Sequence, residues 1–347
     1  MKILRIFKYY NKEKLDMLEN TYMQSKQEAM LPKVAIIILN WNGWRDTIEC
    51  LESILKEENY PNYEILVVDN GSQDNSVSQI EQWARDKGLP ICIQQQQQLS
   101  EAKNCKLLIL PLPENIGYPS GNNIGLKLAL YRGAQFMIIL NNDTVIEPNF
   151  LKSLVEAALI EKDVALVGAV ICNYPDRRVY FAGGYTRLLR NYYDTELNGK
   201  PKWWSSKLVG GSAMLISRQF LEKEEKWLDE RLFAYGEEVE ICTRALKKGY
   251  KVLVARDAKV LHKVGTSLGP GLTPSRAYYI YRNKLILMKD LLSVPERVLF
   301  VLLFHVKVCL RLSQALVQRN WALAQAILEA LKDGWRAKGG KWRFHGK

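Results

Sequence analysis

The sequence FMIILNNDT, residues 136–144, decides the fold of this chain. Its first five residues form an apolar run typical of a buried strand, and Asp143 then places a lone carboxylate just beyond that strand. An open α/β sheet holds its ligand at the carboxyl ends of its strands. Asn141, Asn142 and the Thr144 hydroxyl flank the carboxylate, which suits a hard divalent cation that phosphate oxygens also hold. We therefore expect a nucleoside diphosphate to bind here.

Alternating strands and helices surround this stretch. The β-branched run Val34–Leu39 predicts a strand, Thr47–Lys56 has helical spacing, and Ile65–Val68 predicts a second strand, so the chain begins a parallel βαβ sheet. Later strands are predicted at Lys106–Leu110, Phe136–Leu140, Val164–Val170, Leu208–Ile216 and Lys251–His262, with helices at Ser76–Ala84, Gly121–Arg132 and Val239–Lys248. We expect an α/β fold whose second half is mixed, followed by a helical tail.

The positive charge of the chain is concentrated in the tail. Of the net charge of +12, residues 276–347 contribute +10, from 14 Lys and Arg against 4 Asp and Glu. The tail has apolar faces in place of an aromatic-studded basic stripe, and its longest apolar run, Val298–Phe304, is too short to span a bilayer. An anionic membrane surface is therefore the expected partner and nucleic acid is not, while a solvated helical end is the alternative.

Cysteine usage and the amino terminus bear on location. The six cysteines include no Cys-x-x-Cys pair, which argues against a zinc site or a disulfide framework and favours a reducing cytosol. Lys8, Lys12 and Lys14 interrupt the opening segment, so we expect no secretion signal.

Polar clusters follow the first two strands. Asn40 and Asn42 follow the first, and Asp69 ends the second, where its carboxylate is placed to accept a hydrogen bond from a nucleotide base. A glycine- and amide-rich loop then opens a helix whose backbone N–H groups can approach phosphate or ribose. From this loop we expect Asn115, Gly117 and Asn122 to belong to the donor site.

Three carboxylates, Glu237, Glu238 and Glu240, crowd the start of a predicted helix. Acids in a first turn stabilise the helix dipole, which is the structural alternative. Three acids in four residues exceed that need, and like charges this close raise the proton affinity of at least one carboxylate, which suits a general base. Only three histidines occur and two lie in the tail, so we expect carboxylates to carry the proton transfer.

Three further groups have two interpretations each. His262 ends a predicted strand and is consistent with a metal or diphosphate ligand and with a structural hydrogen bond. Arg276 and Arg282 fit either helix packing or a phosphate clamp. The aromatic stretch with Trp203 and Trp204 fits either an acceptor-sugar surface or a cover over the core.

Together these motifs resemble the inverting glycosyltransferases of family 2, of GT-A fold, in particular their bacterial rhamnosyltransferase-like branch. The similarity covers residues 34–283 and rests on the order and spacing of five blocks. These are Ile38–Asn42, Val67–Ser72, Asn115–Gly125, Leu140–Thr144, and Tyr235–Ile241 with Gly249 and Tyr250 behind it. The resemblance implies a Rossmann-like mixed sheet flanked by helices, with a carboxyl-terminal helical extension.

The resemblance also implies roles for single residues. Asp69 contacts the base, Asp143 binds Mg²⁺ or Mn²⁺ as the last member of an Asp-x-Asp-like motif, and Glu238 activates the acceptor hydroxyl. The expected donor site comprises Asn40, Asn42, Asp69, Asn115, Gly117, Asn122, Asn142, Asp143 and Arg282; the acceptor side comprises Gly210, Gly211, Ser212, Trp203 and Trp204; the metal ligands are Asp143 and His262.

Two positions depart from the family pattern. Asn141 stands where the Asp-x-Asp motif has its first acid, which implies weaker metal binding or reliance on His262. Glu237 and Glu238 replace the usual Glu-Asp pair, so either glutamate can be the base.

The implied reaction is metal-dependent, inverting transfer of a sugar from a dTDP or UDP donor to a hydroxyl of a glycan or lipid-linked glycan, in bacterial surface polysaccharide assembly. Rhamnose is the sugar that the branch suggests, and the inner face of the cell membrane is the expected location. A nucleotidyltransferase of similar fold and a non-catalytic carbohydrate-binding protein are the alternatives. We expect four segments: an amino-terminal segment at 1–32, a nucleotide-sugar half at 33–145, an acceptor half at 146–268 and a basic helical tail at 269–347.

Overall fold

A computed structural model describes residues 31–56, 59–94, 105–263 and 272–343, so most of the amino-terminal segment lies outside the described residues. The strands are β1 (Val34–Asn40), β2 (Tyr63–Asp69), β3 (Ile91–Ile93), β4 (Leu107–Pro111), β5 (Phe136–Asn141), β6 (Thr144–Ile146), β7 (Val164–Asn173), β8 (Val179–Phe181), β9 (Gly184–Arg187), β10 (Arg190–Tyr193), β11 (Trp203–Ser205), β12 (Ala213–Ser217) and β13 (Lys251–His262). The helices are α1 (Trp44–Leu55), α2 (Ser76–Asp86), α3 (Tyr118–Tyr131), α4 (Phe150–Leu159), α5 (Arg218–Leu221), α6 (Glu237–Lys247), α7 (Pro274–Leu291), α8 (Val294–Val317) and α9 (Trp321–Trp335).

One mixed sheet forms the centre of the fold. Its strand order is β11-β13-β7-β12-β5-β1-β2-β4-β3, with β6 beside β13 and β8 beside β7. The strands from β5 to β3 are parallel, as are β7 and β13, whereas β12 is antiparallel to both β5 and β7. The predicted α/β fold with a mixed sheet and a carboxyl-terminal helical region is confirmed.

The strand register brings polar strand ends to one edge of the sheet. Asn40 pairs with Asp69 across β1 and β2, and β5 ends beside them at Asn141. His262, the last residue of β13, pairs with Thr144 of β6. Because β6 starts directly after Asp143, residues more than a hundred positions apart meet at this edge.

Close packing explains two glycines of α3. A Cβ atom on Gly121 would lie 2.5 Å from Leu39 Cδ1, and one on Gly125 would lie 2.5 Å from Ile37 Cγ2. α3 therefore lies closer to β1 than any larger residue would allow. The same packing turns Asn122 inward, where it is fully buried and donates to the backbone one turn earlier. The predicted ligand role of Asn122 is wrong, because no ligand reaches an enclosed amide.

Three other expectations are wrong. The strand predicted at Leu208–Ile216 covers only Ala213–Ser217, because a turn occupies the residues before it. A disulfide joins Cys92 and Cys105, whose Cα atoms are 5.9 Å apart because β3 and β4 are neighbours. α8 has 24 residues, and its most apolar 18-residue stretch has a mean hydropathy of 1.7, so by length and composition it is the one helix in the described part of the chain that could cross a membrane, contrary to the expectation from the short run Val298–Phe304.

Candidate active site

A hydrogen-bond network closes the ends of β1 and β2. The Asp69 carboxylate accepts from Asn40 Nδ2 at 2.6 Å, from the Ser72 backbone N at 3.0 Å and from Ser72 Oγ at 2.7 Å. The Asn42 backbone N donates to Ser72 Oγ at 2.8 Å, and Asn42 Oδ1 accepts from the Gln73 backbone N at 2.8 Å. Asp69 and Asn40 are buried, whereas Asn42 is exposed. Asp69 therefore shapes the loop, and Asn42 is the more exposed side chain at this edge.

A second braced loop lies beside the first. Asn70 Nδ2 donates to Asn115 Oδ1 at 3.1 Å, and Asn70 Oδ1 accepts from the Ile116 backbone N at 3.1 Å. Gly117 has a φ of +96°, and a Cβ atom there would lie 2.7 Å from Phe233 Cδ2, so only glycine fits. Asn115 and Gly117 thus set the shape of the loop that begins α3.

Asp143 and His262 meet as a candidate metal pair. Nε2 of His262 lies 3.2 Å from Asp143 Oδ1, and Nδ1 of the same ring is 2.8 Å from the Tyr180 hydroxyl. A partner behind the ring fixes its orientation, as it does for most metal-binding histidines. In the described ranges no group of three His, Cys, Asp or Glu side chains could hold a metal. The pair therefore fits a cation whose remaining ligands are phosphate oxygens and water.

Tyr118 joins the ends of β5 and β12. Its hydroxyl lies 3.0 Å from Asn141 Oδ1 and 2.9 Å from the Gly211 backbone O, either of which can accept its proton. The Asn141 backbone N also donates to the Ser212 backbone O at 2.9 Å. Gly211 and Ser212 are thereby held at the sheet edge that carries Asp143.

Carboxylates surround the Tyr118 hydroxyl. Burial, followed by the charges of Glu237, Glu238 and Asp143, raises the pKa of Tyr118 well above its ordinary value. Tyr118 therefore remains a neutral hydrogen-bond donor at every physiological pH. Asp143 and both glutamates are therefore near enough to this donor for their charges to act on it.

Glu237 and Glu238 begin α6 opposite the β12 turn. A Cβ atom on Gly211 would lie 3.6 Å from Glu238 Cβ and 3.9 Å from Glu237 Oε1, so glycine leaves space between the turn and the acids. Burial raises the pKa of both carboxyls, and the charge of Glu238 then raises the pKa of Glu237 further, to about 8. Two carboxyls with raised pKa values in one buried site suit proton transfer, and both are candidates for the general base.

The third acid of this helix start belongs to a separate ion-pair group. Glu240 is buried, and its Oε1 lies 2.9 Å from Arg244 Nε and 3.0 Å from Lys226 Nζ. The predicted crowding of three acids is therefore wrong, since helical geometry points Glu240 away from its neighbours and only two acids are left together.

Two residues of α7 hold the loop that leads to the glutamates. Arg282 is fully buried, and Arg282 and Asn283 donate to backbone oxygens of that loop, namely those of Arg231, Leu232, Ala234 and Tyr235. The predicted phosphate contact of Arg282 is wrong, because its guanidinium is enclosed by the protein. It donates hydrogen bonds to loop carbonyl groups that are not paired within a strand or a helix.

The remaining predicted residues lie at different distances from the site. Asn142 Nδ2 donates to Thr47 Oγ1 at 3.2 Å and so ties β5 to α1. Gly210 packs on β7, where an added Cβ atom would lie 2.3 Å from Ile171 Cδ1. Trp203 and Trp204 pair with residues 255 and 254 of β13, far from the strand end, so the structure does not bring them to the site.

Tyr118, Tyr180 and Lys263 are site residues that sequence reasoning missed. Lys263 Nζ lies 2.7 Å from Asp46 Oδ1 and also pairs with Glu49, while its backbone N donates to the Asp143 backbone O at 3.0 Å. Lys263 therefore fastens the end of β13 to α1. Tyr118 follows the predicted Gly117 and Lys263 follows the predicted His262, so their positions in the sequence could have indicated them. No local pattern indicated Tyr180.

A comparison with protein families decides what this fold is. The profile described as "Glycosyl transferase family 2" matches residues 35–224, more than half of the chain. The chain belongs to that family. The resemblance drawn from the motifs is confirmed, and the described sheet is the fold of a glycosyltransferase domain.

Two curated relatives of this family 2 chain are named for O-antigen biosynthesis and for rhamnosyl transfer. The chain is 27% identical over 265 residues to "O-antigen biosynthesis protein RfbC" of Myxococcus xanthus, a match to 72% of this chain and 19% of that protein. It is 27% identical over 205 residues to "dTDP-rhamnosyl transferase RfbF" of Shigella flexneri, a match to 55% of this chain and 68% of that protein. The chain thus spans only about a fifth of RfbC.

Solved structures share the fold at low identity. GalNAc-T7 with UDP, GalNAc and Mn²⁺ aligns with a TM-score of 0.57 at 16% identity, over 73% of this chain and 47% of that one. The mannosyltransferase PcManGT from Pyrobaculum calidifontis, in complex with GDP-Man and Mn²⁺, aligns with a TM-score of 0.54 at 14% identity, over 91% and 94%. These alignments confirm the GT-A-like fold.

Replacing Asn283 tests the clamp on the loop before α6. Asn283→Leu keeps the volume but removes the side-chain donor to the Ala234 and Tyr235 oxygens and one of the donors to the Leu232 oxygen, so we expect the free energy of unfolding to fall by about 3 kcal/mol. Lys289→Met is the control, since that exposed lysine donates to a single carbonyl, and we expect a loss below about 0.5 kcal/mol. Equal losses in urea denaturation of the two variants would contradict the clamp.

The raised pKa of Glu237 predicts a pH-dependent stability. Between its ordinary value of 4.5 and about 8 the folded state binds the extra proton, so this contribution to stability is lost as pH rises through that window. We expect Glu237→Gln to match the wild type near about pH 5 and to exceed it by roughly 2 kcal/mol or more at pH 8. Denaturation curves at several pH values measure the free energy of unfolding of each variant, with the exposed Glu222→Gln as the control. If the stabilities of the wild type and Glu237→Gln change in parallel with pH, the raised pKa of Glu237 is contradicted.

Proposed function

We propose that this chain transfers a sugar, rhamnose, with inversion from a dTDP or UDP donor to a hydroxyl of a glycan, and that the transfer requires Mg²⁺ or Mn²⁺. The observation that carries the proposal is the arrangement of the Asp143–His262 pair and the Glu237–Glu238 pair around the Tyr118 hydroxyl. A cation at the Asp143–His262 pair would stabilise the departing diphosphate, and the glutamate pair would accept the proton of the attacking hydroxyl.

The donor side would use the polar strand ends. Asn42 and the loop at Ser72 would hold the base, with Asp69 positioning that loop from below. Asp143 and His262 would hold the cation, which when bound stabilises the charge that grows on the leaving diphosphate. Two protein ligands do not complete the coordination of such a cation. The cation would therefore bind together with the diphosphate.

The acceptor side would use the buried glutamates. Glu238 would take the proton of the acceptor hydroxyl. The oxygen of that hydroxyl would attack the anomeric carbon from the face opposite the diphosphate, so the configuration would invert without a covalent intermediate. Glu237 would still be protonated near neutral pH and would donate a hydrogen bond. Gly211 would leave room for the acceptor, since any side chain there would meet both glutamates.

The sugar, the acceptor and the location complete the proposal. Rhamnose and dTDP rest on the similarity to RfbF, a glycan acceptor rests on the similarity to RfbC, and a lipid carrier for that glycan rests on the basic helical tail. The enzyme would then work in the cytoplasm at the inner face of the membrane. We also propose that residues 33–145 bind the nucleotide sugar, residues 146–268 the acceptor, and residues 269–347 the membrane.

Nucleoside diphosphate release from a panel of nucleotide sugars, with Mn²⁺, Mg²⁺ or chelator, tests the proposal. We expect metal-dependent release from dTDP-rhamnose or a UDP-sugar when an acceptor glycan is present. Asp143→Asn should abolish metal-dependent donor binding, whereas Asp163→Asn, an exposed acid far from the site, should not change it. Glu238→Gln should lower kcat by about 10² to 10⁴ with donor binding retained.

Glu237→Gln is the matched control for the base. We expect it to keep most of kcat, because Glu238 remains. Loss of kcat in Glu237→Gln with retention in Glu238→Gln would assign the base to Glu237. Release of pyrophosphate from a triphosphate, or no turnover with any donor, would contradict glycosyl transfer.

A further inference from the structure

The outward face of α8 is a continuous apolar surface. Six side chains spaced along one side, Val298, Leu299, Leu302, Leu303, Val306 and Leu310, are 48% to 68% exposed. Only 22% of the most apolar stretch of this helix is buried. Large exposed apolar patches mark interaction surfaces, because leaving them in water is unfavourable.

The opposite face of α8 is already occupied by the chain's own helices. Phe300 and Phe304 are buried and stack on each other, and the Phe304 ring makes an edge contact with Tyr281 of α7. His305 stacks on Trp335 of α9. A helix anchored in this way along one side offers only its outer side to a partner, which favours lying on a surface over crossing it.

Unpaired cations border the apolar face. Lys307 and Arg311 lie one turn apart on α8, and within the described ranges no carboxylate forms an ion pair with either of them or with Lys284 of α7. Burial, then the charges of Lys307 and Arg190, lowers the pKa of Lys284 to about 8, so Lys284 and Lys307 lie close together. Cations beside exposed apolar residues match anionic headgroups beside acyl chains.

We propose that the outward face of α8 lies in the plane of an anionic bilayer, with its apolar side chains at the headgroup–acyl boundary and with the exposed Lys307 and Arg311 against lipid phosphates. The exposed Trp321 at the start of α9 is suited to the same boundary. α7 links this surface to the active site, since it carries Asn283 and packs beneath α8. The inference deepens the membrane association in the proposed function and identifies the docking surface and its lipid.

Vesicle flotation with the full chain tests this surface without measuring sugar transfer, so it and the proposed function can fail separately. We expect the wild type to float with phosphatidylcholine vesicles that contain phosphatidylglycerol, and less with phosphatidylcholine alone. Val298→Gln/Leu302→Gln/Val306→Gln should weaken binding by roughly 100-fold or more, since three exposed apolar side chains are removed from the boundary. Lys307→Gln/Arg311→Gln should weaken binding to the anionic vesicles by roughly 30-fold and leave the neutral ones unchanged.

Tyr131→Gln/Leu159→Gln is the matched control, since both residues are exposed and apolar but lie outside the tail, and it should bind as the wild type does. Unfolding curves verify that every variant folds. The proposal is overturned if the wild type does not float or if the triple variant floats equally well. It is also overturned if the lipid-free wild type is a dimer and the triple variant is a monomer, because the face then binds a second copy of the chain. Failure of alkaline carbonate to extract the protein from vesicles would overturn it too, because α8 would then cross the bilayer.

Discussion

The active site depends on the burial of two adjacent carboxylates at the start of α6. Bringing Glu237 and Glu238 out of water is costly, and the raised pKa of each records that cost. The chain sustains it with a rigid frame, since Asn283 binds the carbonyls of the preceding loop. The β12 turn lies next to both glutamates at Gly211, which has no side chain to fill the space between them. A base with raised proton affinity, excluded from bulk water, is what deprotonation of a sugar hydroxyl requires.

The same constraint explains why Asn141 replaces an acid. Its side chain accepts from Tyr118, whose hydroxyl already lies among the charges of Asp143, Glu237 and Glu238. A fourth carboxylate in this position would raise the electrostatic cost of ionising the others. The amide keeps the hydrogen bond without the charge, and His262 lies beside Asp143 at the same edge of the sheet.

Much of the fold and part of the site follow from local sequence pattern. Runs of apolar residues locate β1, β2 and β5, and because parallel strands end at one edge, Asn40, Asp69 and Asp143 come together without knowledge of contacts between them. Local pattern does not reveal what a side chain meets from distant elements. Arg282 resembles a phosphate ligand in sequence, but it binds the carbonyls of a loop about fifty residues earlier. Gly121 and Gly125 belong to a stretch that resembles a phosphate loop, but they allow α3 to pack closely against β1.

The most direct test of the central claim is a crystal structure of the protein with Mn²⁺ and dTDP or UDP. We expect the Mn²⁺ anomalous signal between Asp143 and His262 within coordination distance of both, with the diphosphate completing its ligands and the base against the loop at Ser72. The Glu238 carboxylate should face the terminal phosphate across an open space that Gly211 borders. Nucleotide bound at any other edge of the sheet, or Mn²⁺ without contact to Asp143, would contradict the assignment of this edge as the active site.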